Sequence, residues 1–346
     1  MKVNEKLLRE FMIGAASKMD IGEEAAKTLA DNLISANLWG INSHGIGRFP
    51  NYMRRLRLNL INRKPNIGVT IKRPATICVD GDNGLGSVVT KYATEKLIEL
   101  AKTYGVAMGE IKNSNHFGAA GYYCNLAAEQ GFGMLISTVA PPNMPPFGSA
   151  EAYFGTNPFA IGMPRKERPH IIVDIATSVA AKGKIRECAR KGLPIPEGWA
   201  IDVDGNPTTD AQKAIDGLVL PMAGHKGSGI ALAIEYLAGV LSGSAYGRDV
   251  VMQYGDDPTP ANVGHSIIVF DPIAFMDEET YEARLENFCE ELRGLKLAKG
   301  FEKILLPGEV ELLKENRTLE DGIEMDEKLY KDFCDVAAYT GVPVTF

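Results

Sequence analysis

Between residues 75 and 111 an apolar run, a helical pattern and a second apolar run follow one another, and this alternation is buried best by a sheet covered with helices. ATICVD (75–80) reads as a strand, 87–104 as a helix closed by Gly105, and 106–111 as the next strand. A helix over 122–130, a strand at 132–138 and strands near Phe159 and at 171–175 continue an α/β centre. The ends are helical instead. Leu7, Leu8, Phe11 and Met12 recur at helical spacing within 4–18, and 22–38 continues until Gly40 stops it. Charged amphipathic helices at about 278–295 and 326–338 finish the chain. At 346 residues the chain exceeds the roughly 250–300 at which single cores stop growing. We therefore expect an α/β domain over 75–274 and a helical domain built from 1–74, to which 275–346 returns. Residues 191–210, dense in Gly, Pro, Asn and Asp, read as a long ordered loop, and 229–241 as an apolar helix.

A formal charge of -7 with no basic block excludes tracking of a phosphate backbone, so no nucleic-acid partner is expected. Five cysteines, tens of residues apart and without a CxxC pair, exclude zinc fingers and disulfide scaffolds and suit a reducing compartment. The N-terminal MKVNEKLLREFMIG lacks the apolar core of a signal peptide, and Glu235 interrupts the longest apolar stretch, which is shorter than the roughly 20 residues of a membrane span. The expectation is a cytoplasmic protein without membrane contact.

Three of the five histidines sit between polar and glycine residues, as Ser43-His44-Gly45, Asn115-His116-Phe117-Gly118 and Gly224-His225-Lys226-Gly227. A histidine near its ordinary pKa exchanges protons at neutral pH, and loops on a rigid scaffold are where such groups concentrate. A hydrogen-bonded turn histidine is the plain alternative at each position. His170 and His265, at strand entrances, read as structural. Arg48 and Tyr52 lie four apart on a helix that tolerates Pro50 in its first turn, which puts both near one face beyond His44. Arg48 there suits a bidentate grip on a carboxylate or, with Arg54, a solvated basic face; spacing alone does not choose. GHKGSG (224–229) opens a helix whose N-terminus and Lys226 suit an anion, yet it is not a Walker A loop, and the chain has no GxGxxG. HExxH, HxH and GxSxG are also absent, so neither a metal site nor a serine nucleophile is expected.

Eight collinear motifs carry a resemblance over nearly the whole chain: NSHGIGRFPNY (42–52), DGDNGLG (80–86), NSNHFGAAGYY (113–123), FGTNPFAIGMP (154–164), VDIATS (173–178), DVDGNPTTD (202–210), LPMAGHKGSG (220–229) and LLPGE (305–309). Together they resemble the malate/L-lactate dehydrogenase type of NAD(P)-dependent oxidoreductases, a family unrelated to ordinary lactate dehydrogenases. The resemblance implies a non-Rossmann α/β fold in which a largely antiparallel mixed sheet binds the dinucleotide beside a helical domain, assembled as a homodimer. It implies cofactor contacts at Asp174, Ala176, Thr177 and Ser178, at His225 and Lys226, and at Pro307, Gly308 and Glu309. It implies a substrate pocket around Ser43, Arg48 and Tyr52, with His116, or in some members His44, as the acid/base. NAD is the expected cofactor, with NADP the alternative, and the substrate a small 2-hydroxy or 2-oxo carboxylate; reduction of a cyclic imino acid or diketo sugar acid with NADPH is the rival reading.

The chain departs from several relatives at Ala140-Pro141-Pro142-Asn143, where they carry Ser or Asn with an acidic residue, and at Ser228, where many carry Tyr. The stretch SAYGRDVVMQYGDD (244–257) is similar to ureidoglycolate dehydrogenases, whereas the histidine motifs look closer to sulfolactate dehydrogenases.

Overall fold

The computed structural model describes residues 1–253 and 259–346; the last four residues of the 244–257 stretch lie outside them. In chain order the elements are β1 (Lys2–Val3), α1 (Glu5–Ser17), α2 (Glu23–Leu38), α3 (Phe49–Arg57), β2 (Gly68–Arg73), β3 (Thr76–Asp80), α4 (Gly86–Tyr104), β4 (Val106–Ser114) and α5 (Ala120–Ala128). There follow β5 (Gly133–Thr138), β6 (Phe159–Met163), β7 (Ile171–Ile175), α6 (Lys182–Arg190), β8 (Ala200–Ile201), β9 (Pro207–Thr208), α7 (Ala211–Asp216), β10 (Leu218–Val219) and α8 (His225–Ile234). The chain ends with β11 (Val263–Phe270), α9 (Glu278–Arg293), α10 (Glu309–Asp321), β12 (Ile323–Glu324) and α11 (Glu327–Thr340).

Seven strands form the central sheet in the order β2-β3-β4-β11-β5-β6-β7. Only β3 and β4, joined by α4, run parallel; every other neighbouring pair is antiparallel. The expected mixed, largely antiparallel sheet is thus the one observed, and it lacks the doubly wound order of a Rossmann domain. Helices α4 and α5 cover one face, where Ile77, Val79, Ile111, Met134, Ile136, Ile267 and Val269 meet Val89, Ala93, Leu97 and Cys124. The same core continues through α2 into the terminal helices, where Phe11 packs on Phe49 and Phe333.

Three expectations need correction. Residues 191–210 are not loop alone, because β8 and β9 form a hairpin that β10 extends to three strands, with Asp202 Oδ1 accepting from the amides of Asp204 (3.0 Å) and Asn206 (2.9 Å) in the turn. The apolar helix begins at His225 instead of Gly229, and its last part, Glu235–Leu241, is π-helical. Finally, α6 and α10 were not expected; α6 buries only Ile185 and α10 no residue fully, so neither carries the apolar stripe that periodicity detects.

On the other face of the sheet Glu110 is buried on β4, accepts from Ser266 Oγ at 2.8 Å, and leaves Oε2 without a partner. Burial pushes its carboxyl up to about 7. A carboxyl raised on folding adds stability that is present below its unfolded pKa and lost as pH rises through the folded one. Glu110→Gln should therefore stabilise the protein by about 2–3 kcal/mol at pH 8.5 and change little at pH 4. Urea melts at the two pH values check this; equal effects at both would rule out titration of Glu110 as the cause.

Candidate active site

Two single-turn 3-10 segments, Asn42–His44 and Ile46–Arg48, connect α2 to α3. Asn37, near the end of α2, holds this connection: its Oδ1 accepts from the Ile46 amide (2.6 Å) and its Nδ2 donates to Asn42 Oδ1 (2.9 Å). Arg48 stands at the N-cap of α3 and sends Nε back to the Ser43 carbonyl at 2.6 Å, while Pro50 occupies the first helical turn as the sequence allows. One turn on, Tyr52 is buried and points across to His116.

His116 follows β4 in the short connection to α5. This loop is tied from several sides. Asn115 Nδ2 donates to the carbonyls of Asn83 (3.1 Å) and Gly84 (2.8 Å), and the His116 amide donates to Gln253 Oε1 at 2.9 Å. A Cβ on Gly86, the first residue of α4, would lie 2.2 Å from the Asn115 carbonyl oxygen and 2.3 Å from that of His116, so only glycine lets the helix start against this loop. The Phe117 ring stacks on His265 at 4.7 Å, and His265 is held by Thr138 Oγ1 (2.8 Å) and Ser114 Oγ (2.9 Å). His265 is therefore a core histidine, as its strand position suggested; burial lowers it to about 3.

The His44 and His116 rings stack with centroids 5.4 Å apart. His116 Nδ1 lies 2.5 Å from Tyr52 Oη and 3.2 Å from the Gly118 amide, which leaves Nε2 as the ring nitrogen without a partner among the described residues. His44 Nδ1 is 2.8 Å from Ser43 Oγ. Burial, then the charge of Arg48, lowers His44 to about 4; burial, with His44 and Arg48 nearby, lowers His116 well below the usual histidine range. Burial also pushes the Tyr52 phenol upward, so it stays protonated. The pair is thus two neutral imidazoles at pH 7, poised to accept a proton.

All of this lines a cavity of about 1320 Å³, larger than the roughly 300–1,000 Å³ of a usual small-molecule pocket. Ser43, His44, Arg48, Tyr52 and His116 border it together. Asp174, Ala176 and Ser178, at and beyond the end of β7, and Pro307 with Gly308, before α10, border it as well. Asp174 is half-buried, accepts from the Gly121 amide at 2.8 Å, and is raised by burial to about 6. Gly308 has φ +97°, and a Cβ there would stand 2.3 Å from the His170 carbonyl oxygen.

Other expected positions lie outside the cavity wall. Thr177 is buried, with Oγ1 donating to the Thr156 carbonyl (3.0 Å). His225 and Lys226 are exposed at the start of α8, the His225 ring 5.9 Å from that of Phe147. Glu309 turns away to accept from Arg293 Nη2 (2.6 Å) and the Leu306 amide (2.8 Å). Conversely, the cavity is bordered by residues the motifs did not single out, among them Gln253, Lys182, Arg186 and Glu311. Asn143 also borders it and keeps a buried Oδ1 without a partner. No group of three or more His, Cys, Asp or Glu side chains suited to a metal ion comes together among the described residues, and none of their helices is long and apolar enough to cross a membrane.

The mixed, largely antiparallel sheet is the fold that the resemblance implied, and the cavity brings Ser43, His44, Arg48, Tyr52 and His116 together. The malate/L-lactate dehydrogenase family model matches residues 3–334, and the chain belongs to that family. It is 41% identical to an L-sulfolactate dehydrogenase of Methanocaldococcus jannaschii, with 99% of this chain and 97% of the relative covered. A malate dehydrogenase of Pyrococcus horikoshii is 35% identical (99% and 96% covered), and a ureidoglycolate dehydrogenase (NAD(+)) of Escherichia coli 33% identical (98% and 97% covered). Among solved structures, the Methanocaldococcus jannaschii sulfolactate dehydrogenase superposes with a TM-score of 0.94 at 40% identity, over 99% of this chain and 98% of that one. A delta1-piperideine-2-carboxylate reductase of Pseudomonas syringae superposes with 0.86 at 30% identity, over 97% and 100%.

Proposed function

We propose that this chain is an NAD-dependent dehydrogenase that interconverts a small 2-hydroxy acid and its 2-oxo acid, of the malate, sulfolactate or ureidoglycolate kind. The observation that carries the reading is the meeting of His116, His44, Arg48 and Tyr52 on one wall of a cavity whose borders also include Asp174, Ala176, Ser178, Pro307 and Gly308. A bound nicotinamide supplies the hydride acceptor or donor. The cavity has room for a dinucleotide and an acid together, and the unpartnered Asn143 oxygen suits an amide donor such as the nicotinamide carboxamide. Glu311 and Glu315 border the cavity, and Arg168 beside them is engaged by Glu315 at 2.9 Å, which favours a free ribose 2'-hydroxyl over a 2'-phosphate.

Within this reading Arg48 grips the substrate carboxylate, its Nε already fixed by the Ser43 carbonyl. His116 exchanges the hydroxyl proton at Nε2, and Tyr52 with the Gly118 amide fixes the ring's orientation through Nδ1. His44 and Ser43 close the polar wall. Residues 75–274 carry most of the cofactor, with Pro307 and Gly308 adding to its border, and 1–74 frames the substrate side. Leu232, Tyr236 and Val240, four residues apart on α8 and its π-helical continuation, are 59%, 54% and 51% exposed, and such an apolar stripe supports a homodimer.

Purified protein assayed for oxidation of NADH and NADPH against oxaloacetate, sulfopyruvate, pyruvate, oxalurate, diketogulonate and piperideine-2-carboxylate tests the proposal. NADH-linked turnover of a 2-oxo acid is expected. Turnover of the imine alone, with NADPH preferred, would move the chain to the reductase reading.

A further inference from the structure

Helix α6 stands over the cavity beyond the histidine wall. Lys182 and Arg186 are one helical turn apart on it, so they share a face, and both border the cavity. Ile185 is wholly buried in the second core cluster, which anchors the helix in place. Neither Lys182 nor Arg186 has an ion-pair or hydrogen-bond partner among the described residues. Asp216, which also borders the cavity, acts on Lys182 through space without pairing to it. The charge of Arg186 reaches Arg48 across the cavity and opposes that of Lys182 on its own helix. Like charges one turn apart weaken a helix, and a further cation bordering the same partly desolvated cavity adds to the cost. An anion between them removes both penalties.

Resting on the dehydrogenase reading, we propose that Arg186, supported by Lys182, holds a second anionic group of the substrate, so that the chain's preferred substrate is a dianionic 2-hydroxy acid. Arg48 and Arg186 then take opposite ends of one small molecule. The first holds the carboxylate next to the reacting carbon, the second a distal carboxylate or sulfonate. A neutral ureido group in the distal position gives Arg186 no counter-charge, which sets the dicarboxylates and sulfonates of the proposed range apart from ureidoglycolate. The remaining acids of the cavity are otherwise engaged: Glu315 by Arg168, Glu311 by the Gly308 amide at 3.0 Å, and Asp174 by the Gly121 amide at 2.8 Å.

The same cations could serve a cofactor phosphate instead, and the experiment separates the two. Arg186→Gln and Arg186→Lys are compared with the wild type on malate, sulfolactate and lactate, and NADH dissociation constants are measured by fluorescence. For Arg186→Gln the ratio of kcat/KM on malate to that on lactate should fall on the order of 100-fold, mainly through KM, with Arg186→Lys recovering part of it. The dissociation constant of NADH should hold. Weaker NADH binding with an unchanged ratio would assign Arg186 to the cofactor phosphates, and equal losses on both acids would reduce it to a structural role; either overturns the proposal. A wild type inactive on every hydroxy and oxo acid would instead defeat the dehydrogenase reading itself.

Discussion

Replacing His116 by asparagine lowers the rate constant for hydroxy-acid oxidation by about 10³-fold, in the middle of the range for loss of a positioned general base. The dissociation constant of NADH stays within about twofold, since the imidazole contacts Tyr52 and Gly118. Asparagine keeps a polar side chain of similar reach, so the His116 amide can still donate to Gln253 and the loop keeps its anchor. Near-wild-type turnover in His116→Asn with cofactor binding intact would transfer the proton step to His44, whose Nδ1 rests on Ser43.

The sign of the pH dependence follows from the same surroundings. Oxidation needs a neutral imidazole. His116 is held well below the usual histidine range, chiefly by burial, so oxidation is already complete in this respect at pH 7 and falls only in acid. Reduction needs the protonated ring, and its rate falls as pH rises. The histidines also make folding sensitive to acid: with pKa values lowered on folding, His44, His116 and His265 bind protons more readily in the unfolded chain, and stability declines as pH drops below about 6.5. The asparagine variant loses the acid limb of the oxidation profile along with the rate.

Much of this site was legible in the sequence because its parts lie in short, polar, glycine-bounded segments beside strong strand and helix patterns. Ser43, His44, Arg48 and Tyr52 are nearly contiguous, and the strand-to-helix passage through Asn115 and His116 follows from periodicity. The neighbour relation between Tyr52 and His116, 64 residues apart, does not; it depends on α3 crossing to the end of β4, a tertiary fact. Gln253 and Asn51 escaped for a similar reason, because one joins the other through a backbone carbonyl (3.1 Å) and no pattern marks a glutamine as an anchor. Lys182 and Arg186 escaped because α6 has a single buried residue, and a short basic helix reads as solvated surface. The glycine loop at 224–229 does open a helix as expected, with His225 and Lys226 exposed at its start and outside the cavity wall.

Arg48→Met lowers kcat/KM for a 2-hydroxy acid by about 10²- to 10³-fold, the loss expected when a charged, forked donor is taken from a carboxylate in a partly desolvated site. Lysine restores the charge but not the fork, so Arg48→Lys recovers only part of the activity. Arg48 also steadies the Ser43 carbonyl, and a purely structural effect would lower the melting temperature and kcat together; the clamp instead raises KM on every acid while the melting temperature holds. Combining Arg48→Met with Arg186→Gln completes the argument. On lactate the double variant behaves as Arg48→Met alone, because a monoanion presents nothing to Arg186. On malate each single substitution removes one end of the grip, and the second substitution costs less once the first has freed the molecule to shift, so the two losses sum to more than the double variant shows. Independent, fully additive losses on both substrates would mean that the two arginines do not hold one molecule.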